Sequence, residues 1–415
     1  MKTMQFTMRH PGTRWLAPVA VAAVVVGSAS LAHIAAASPG SGGLPDMTAQ
    51  ELITRVQGAV STPVSGTVTE TADLGLPDLS GLTRSGPAGG GASATSGLMG
   101  LTTGSHTLRV WYGGPSKQRV ALLSSLGETD LIHDGRQLWT WDSSDNSVTH
   151  RELPAPEANS GASSGASDSS AVIPGGADMP TTPGAAAAAA LGLIGPTTSV
   201  SVSNDASAAG RDAYQLTLTP KGTGSLVSAI RIDVDGSTFV PLRVEVDSAS
   251  TGAAAFTIGF SSPVSFAPID PAQFTFSPPP GATVTTESGG SRAGSAPGLF
   301  AGLKDHTDVH VVGSGWTSVI VARVTGNTAG GAPGTSADTG PTQGAGSTHG
   351  PAMVRGAGGT LGALGGLLHS LPTVSGSWGS GRILAGTLFT VVITDNGTIA
   401  AGAATPAIVT AALAH

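Results

Sequence analysis

From residue 64 onward, bulky apolar residues recur at every second position in short runs, and this period-two alternation predicts β-strands buried on one face. The first run is 64–74 (VSGTVTETADL), where Val68 stands between Thr67 and Thr69. Runs at 105–112, 118–124, 128–133, 137–141 and 147–153 follow, joined by turn sequences such as Asp134-Gly135 and Ser143-Ser144-Asp145-Asn146. Connections this short predict an antiparallel meander. A second series covers 199–204, 213–220, 228–234, 238–246 and 254–260, with Asp235-Gly236 as the sharpest hairpin signal. Helical patterns interrupt twice. Thr48 and Glu51 have capping-box spacing ahead of Leu52, Ile53 and Val56, which predicts a helix over 48–57. A second helix is predicted over 185–194. Residues 46–280 thus read as one α+β unit, a sheet of roughly ten antiparallel strands with a few helices, and a sheet that wide should curl.

The pattern restarts after residue 300. Strands are predicted at 309–312 and 318–324, a weak helix at 361–371, one long strand over 382–394, a turn at Asp395-Asn396-Gly397, a strand at 398–403 and a closing helix from Thr405. Residues 301–415 therefore form a small C-terminal α+β module. Between these patterned segments lie four stretches poor in bulky apolar residues and rich in Gly, Ser, Thr, Ala and Pro, at 80–100, 154–184, 281–300 and 325–360. Such composition predicts linkers or long loops, with 281–300 separating the two units.

Composition narrows the functions available. Charged residues make up 11% of the 415, and the net charge is −7. With only 19 Lys and Arg, the chain has no basic reservoir for a phosphate backbone, so nucleic acid is not expected as a partner. The absence of Cys removes disulfides, thiolate metal sites and cysteine nucleophiles.

The N-terminus indicates a compartment. Lys2, Arg9 and Arg14 precede an apolar run over 15–37, and Ala35-Ala36-Ala37 fits a small-residue cleavage site before Ser38. Residues 1–37 read as a cleaved signal peptide or, alternatively, as an uncleaved membrane anchor, since a helix over the apolar run 15–37 spans about 34 Å. Under either reading the rest of the chain is exported.

Reactive groups are sparse. A G-x-S-x-G match at 161–165 lies in a Gly/Ser-rich linker, without the strand and helix that a nucleophile elbow needs. On an extended strand His306, Asp308 and His310 would share a face, with Asp305 nearby, but no fourth ligand accompanies them, and no metal is expected. His106, His133 and His150 fall in or beside separate strands and read as surface or interstrand residues. Trp139 and Trp141, two apart on one strand, present both indoles to the same side of the sheet. They either pack under a covering helix or line an apolar hollow.

The stretch 108–149 (LRVWYGGPSKQRVALLSSLGETDLIHDGRQLWTWDSSDNSVT) resembles LolA-type lipoprotein carriers and RseB-like envelope regulators. Pro115 and Arg119 match the family's turn and following arginine, Asp134-Gly135 its D-G turn, and Trp139, Trp141 and Asp142 its aromatic strand. Ile269-Asp270-Pro271-Ala272-Gln273-Phe274-Thr275-Phe276, with Pro278-Pro279-Pro280-Gly281, is similar to its closing segment. The resemblance spans about residues 46–285. It implies an unclosed antiparallel barrel with an apolar ligand cavity, no catalysis and no cofactor. It also implies an acyl lipid or lipoprotein as partner, or, in a sensor, a membrane regulatory protein such as an anti-sigma factor. Trp139, Trp141 and Arg119 are the residues expected near that ligand, Arg119 alternatively being a plain surface charge.

Overall fold

The computed structural model describes residues 43–75, 103–124, 127–153, 180–287, 307–324 and 371–414. The N-terminal segment 1–37, the G-x-S-x-G match and nearly all of the helix expected at 361–371 lie outside them.

The protein is α+β, with two sheets. The larger is built from β1 (Val64–Asp73), β2 (Thr103–Tyr112), β3 (Lys117–Leu123), β4 (Glu128–Asp134), β5 (Gln137–Asp142), β6 (Ser147–Glu152), β7 (Thr198–Ala208), β8 (Arg211–Pro220), β9 (Val227–Asp235), β10 (Pro241–Ser248), β11 (Ala254–Ser265) and β12 (Thr283–Glu287). Its order is β12-β6-β5-β4-β3-β2-β1-β11-β10-β9-β8-β7, so the two meanders meet at the antiparallel β1–β11 pair and the sheet stays open at both edges.

Two helices pack on one face, here called inner. In α1 (Ala49–Gly58) Thr48 accepts a hydrogen bond from the Glu51 amide at 3.2 Å, while Leu52 and Val56, one helical turn apart, are buried. α2 (Pro183–Leu191) begins at Thr182, which caps the Ala185 amide at 3.1 Å, with Pro183 in the first turn where no amide is needed. α2 lies over β10 and β11. Its buried side chains are almost all alanine.

The second sheet has the order β13-β14-β18-β17-β16-β15, all antiparallel, from β13 (Thr307–Val312), β14 (Val319–Val324), β15 (Thr373–Gly376), β16 (Gly379–Ala385), β17 (Thr390–Thr394) and β18 (Thr398–Gly402). One face packs on α3 (Pro406–Ala412) through Val319, Val321, Val392, Ala400 and Val409. This module is docked on the first. Trp316 is buried in the larger core and its Nε1 donates to Thr198 Oγ1 at 2.8 Å, while the Thr387 amide donates to Leu74 O at 2.8 Å and Leu226 N to Ala403 O at 2.9 Å.

Several expectations are corrected. The large sheet has twelve strands, and the added β12 pairs in parallel with β6 from within the stretch read as a linker at 281–300. Its TVTTE sequence carries little hydrophobic signal; the register against β6 orders it. The run 382–394 is two strands, β16 and β17, because Gly386 and Phe389 close a turn whose Thr387 bonds to Leu74, a long-range contact that an unbroken apolar run conceals. A Cβ on Gly386 would lie 2.8 Å from Leu74 O, so the approach requires glycine. Asp235-Gly236 does open the antiparallel β9–β10 hairpin, through the loop 236–240. The Asp235 carboxylate accepts from the amides of Ser237 and Thr238 at 3.1 and 2.7 Å, and Phe239 takes φ +60° while stacking near Tyr214. The short strand β15 carries no sequence signal of its own.

Candidate functional site

Register decides what each face of the large sheet displays, since residues paired across antiparallel strands point the same way. The inner face runs through Leu122 and Leu108 to Val68, Phe260 and onward, and beside it through Ile258, Val244, Ile232, Leu216 and Val202. These side chains form one apolar core with Leu52 and Val56 of α1 and Ala186, Ala187 and Ala190 of α2.

Glu70 stands in the middle of that face. On β1 it follows Val64, Gly66 and Val68 and precedes Ala72 on the same parity, and it pairs with Ile258 of β11 and His106 of β2. It is 1% exposed, and neither carboxylate oxygen has a hydrogen-bond partner among the described residues. Burial pushes its pKa from the ordinary 4.5 up to about 7. The sequence carries the signal, since V-x-G-x-V-x-E-x-A-x-L from Val64 to Leu74 puts one acid on the apolar parity. The aromatic strand QLWTWD is the more conspicuous feature of the sequence.

The cations are distributed in the opposite way. Arg109, Lys117, Arg119, Arg211, Arg231 and Arg243 of the large sheet all take the outer parity; Arg151, on β6 near the edge, is on the inner one.

Trp139, Trp141 and Arg119 come together on the outer face. One row reads Trp111, Arg119, Ile132, Trp139 and His150 across β2–β6, and the next reads Arg109, Ala121, Asp130, Trp141 and Val148. The shared face expected for the two indoles is observed, but it is opposite to α1 and α2, so they line no space beneath those helices. Leu138, buried in the inner core, sets that parity, and in QLWTWD both faces of the strand are apolar enough to hide it. Trp139 stacks on the His150 ring at 3.8 Å between centroids and lies 5.5 Å from Phe276. The Trp141 indole donates to Asn146 Oδ1 at 3.2 Å. Arg119 pairs with the buried Asp130 and lies over the Trp111 ring at 5.3 Å. Burial raises the Asp130 pKa to about 6 against the pull of the Arg119 guanidinium, and Asp130 Oδ1 and Arg119 Nε remain without partners among the described residues.

The closing D-P-x-x-F-x-F segment straps this outer face. Asp270 caps a short turn by accepting from the Ala272 amide at 2.9 Å, which sends Phe274 against Gly113, where a Cβ would sit 3.0 Å from the ring.

His133 is buried, with Nε2 2.9 Å from Gly135 O, and burial lowers its pKa despite that bond. Of the residues weighed as metal ligands, Asp305 and His306 lie outside the described residues and His310 is exposed on the edge strand β13. Among the described residues no group of three metal-ligating side chains comes together, and no helix is long and apolar enough to cross a membrane. A depression of about 490 Å³ lies in the second module between α3 and the β15–β16 hairpin, lined by Val374, Trp378, Ile383, Ala407 and Ala411 among others.

No family model matches the chain, and no curated protein matches it. Among solved structures, the Pseudomonas aeruginosa MucA/MucB complex is 12% identical, with 87% of this chain and 95% of that chain covered and a TM-score of 0.38. A LolA superfamily protein from Nitrosomonas europaea is 14% identical, covering 56% of this chain and 99% of that one, with a TM-score of 0.22. An uncharacterized conserved protein from Thermus thermophilus is 13% identical, with 58% and 99% covered and a TM-score of 0.31. At these identities and TM-scores they assign this chain no activity.

Proposed function

We propose that this chain is an exported, non-catalytic protein that binds an acyl chain on the inner face of its large sheet, as a lipid or lipoprotein carrier would. The observation that carries the reading is the contrast between that face and its cover. Apart from Glu70 and a few other polar positions the face is apolar from β3 to β7, whereas α2 covers it mainly with Ala185, Ala186, Ala187 and Ala190, its one leucine, Leu191, being only partly buried. Four buried methyl groups contribute about 3 kcal/mol, while ten methylenes of an acyl chain offer about 8 kcal/mol before the costs of association. The burial an acyl chain offers thus exceeds what holds α2 down, and weakly held elements are the ones that open in binding proteins. Trp139, Trp141 and Arg119, on the other face, become part of the structural frame in this reading.

Native mass spectrometry of protein purified without detergent tests it, together with displacement of a hydrophobic dye by dodecanol. Retained acyl mass and displacement of the dye are the expected results. Neither a retained ligand nor dye binding would reject the reading.

A sensor is the second reading, favoured by the docked second module. Its edge strand and neighbour expose Val311 at 54% and Ile320 at 41%, side by side in register, a surface suited to a protein partner. A membrane regulatory protein would be that partner. Capture of such a protein by the full chain, lost with Val311→Asp, separates sensor from carrier.

A further inference from the structure

A carboxylate with no partner inside a protein is uncommon, because ionised groups lose several kcal/mol of hydration when buried alone. Glu70 is in that position: 1% exposed, with no hydrogen bond to either oxygen among the described residues. Its strand neighbours on the same face are Val68 and Ala72, and its cross-strand and diagonal neighbours are Ile258, Phe256, Phe260, Leu108 and His106. The arginines and lysines of the surrounding strands β2, β3, β8, β9 and β10 are on the outer face, where Asp130, Asp233, Asp235, Glu245 and Asp247 take several of them. α2 lies over β10 and β11, and β11 is the strand that brings Ile258 beside Glu70. The carboxyl therefore borders the surface that departure of α2 would uncover.

We infer that the ligand of the inner face is an amphiphile with a single apolar tail and a primary amine, and that the Glu70 carboxylate receives the ammonium group. The inference rests on the acyl-binding reading above and specifies its ligand class. An ammonium supplies the two things that Glu70 lacks, a positive charge and up to three N–H donors. Charge-assisted bonds of this kind are shorter and stronger than neutral ones. An alcohol of the same length offers one neutral donor. A carboxylate-headed chain brings a second negative charge beside the first and is disfavoured.

Isothermal titration calorimetry of the full chain at pH 8, with dodecylamine, dodecanol and dodecanoate each below its micelle concentration, tests the assignment. Dodecylamine should bind about tenfold more tightly than dodecanol, as expected for one added charged hydrogen bond, with dodecanoate the weakest. Glu70→Gln and Glu70→Leu should each bring dodecylamine to the level of dodecanol while leaving dodecanol within about twofold of its original affinity. Equal binding of amine and alcohol by the unmodified chain overturns the inference and leaves the acyl-binding reading standing, as does an amine preference that survives both substitutions. Absence of binding by all three compounds overturns both.

Discussion

On the outer face of the large sheet Arg231 reaches Glu245 at 3.0 Å and Asp247 at 2.8 Å, Arg243 reaches Asp233 at 2.6 Å, Arg211 grips Asp235, and Arg119 grips Asp130. On the inner face Glu70 has no described partner. The same strands present both faces, so the difference is one of parity. The outer face permits buried carboxylates because Arg stems lie along it and carry their cations to the acids. Around Glu70 the inner face offers hydrocarbon and the neighbouring His106 imidazole, with no Arg or Lys on the adjoining strands facing that way, and an acid held there is stabilised by a proton or by something that enters. Asp235 shows the outer case most fully. Burial alone would raise its pKa, but hydrogen bonds from Arg211, Thr238 and Ser237 outweigh burial and hold it below the usual carboxylate range.

The comparison can be broken from either side. The largest effect is expected on the outer face. Arg119→Met should destabilise the fold by about 4 kcal/mol at neutral pH, because it strands the buried Asp130, and the added change Asp130→Leu should restore most of that loss. Urea denaturation of the single and double variants measures it, and a single variant as stable as the original would mean that Asp130 does not depend on its pair.

On the inner face removal of the acid should have the opposite sign. Between pH 4.5 and about 7 folded Glu70 keeps a proton that the unfolded chain has released, so stability is full below the lower value and falls as pH rises through the upper one. The total loss is about 3 kcal/mol. Glu70→Leu should therefore stabilise the unliganded protein by about 3 kcal/mol at pH 8 and have a small effect at pH 4. The raised pKa of Asp130 leaves a second fall near pH 6 in that variant. Thermal melts of the unliganded protein from pH 4 to pH 8 resolve the two, and parallel profiles for variant and original would refute the assignment to Glu70.

The smallest effect calibrates the others. Arg136 and Glu152 form an exposed pair at 3.0 Å, with side chains 51% and 52% accessible. Arg136→Ala should change stability by less than about 0.5 kcal/mol, and less still in high salt, because exposed pairs are screened. A loss comparable to that of Arg119→Met would show that ion pairs, irrespective of burial, govern this sheet.

Much of the site was legible without coordinates. The alternation that predicts β1 also exposes Glu70 as an acid on the apolar parity. The pairing of Trp139 with Trp141 on one face follows from strand geometry. Which face they take does not, since Leu138 and Trp139 are adjacent and both apolar. From sequence Arg119 is expected near the ligand or as a plain surface charge, and neither reading contains Asp130, which β4 brings to the same face on the neighbouring strand. The partner is eleven residues away in sequence and is determined by hairpin register.

Taken by itself, the sequence determines local matters: the strand periodicity, the capped start of α1, and the Gly- and Ser-rich interruptions. These depend on residues within a few positions of one another. The tertiary structure alone decides that β1 pairs with β11 across nearly two hundred residues, that β12 returns in parallel beside β6, and that Trp316 and Thr387 fasten the second module to the first. It also decides which parity faces the helices, and so which charges find partners. Register is a collective outcome of burying the larger apolar face. A one-residue slip would invert the whole sheet, and no short window of sequence records which of the two faces won.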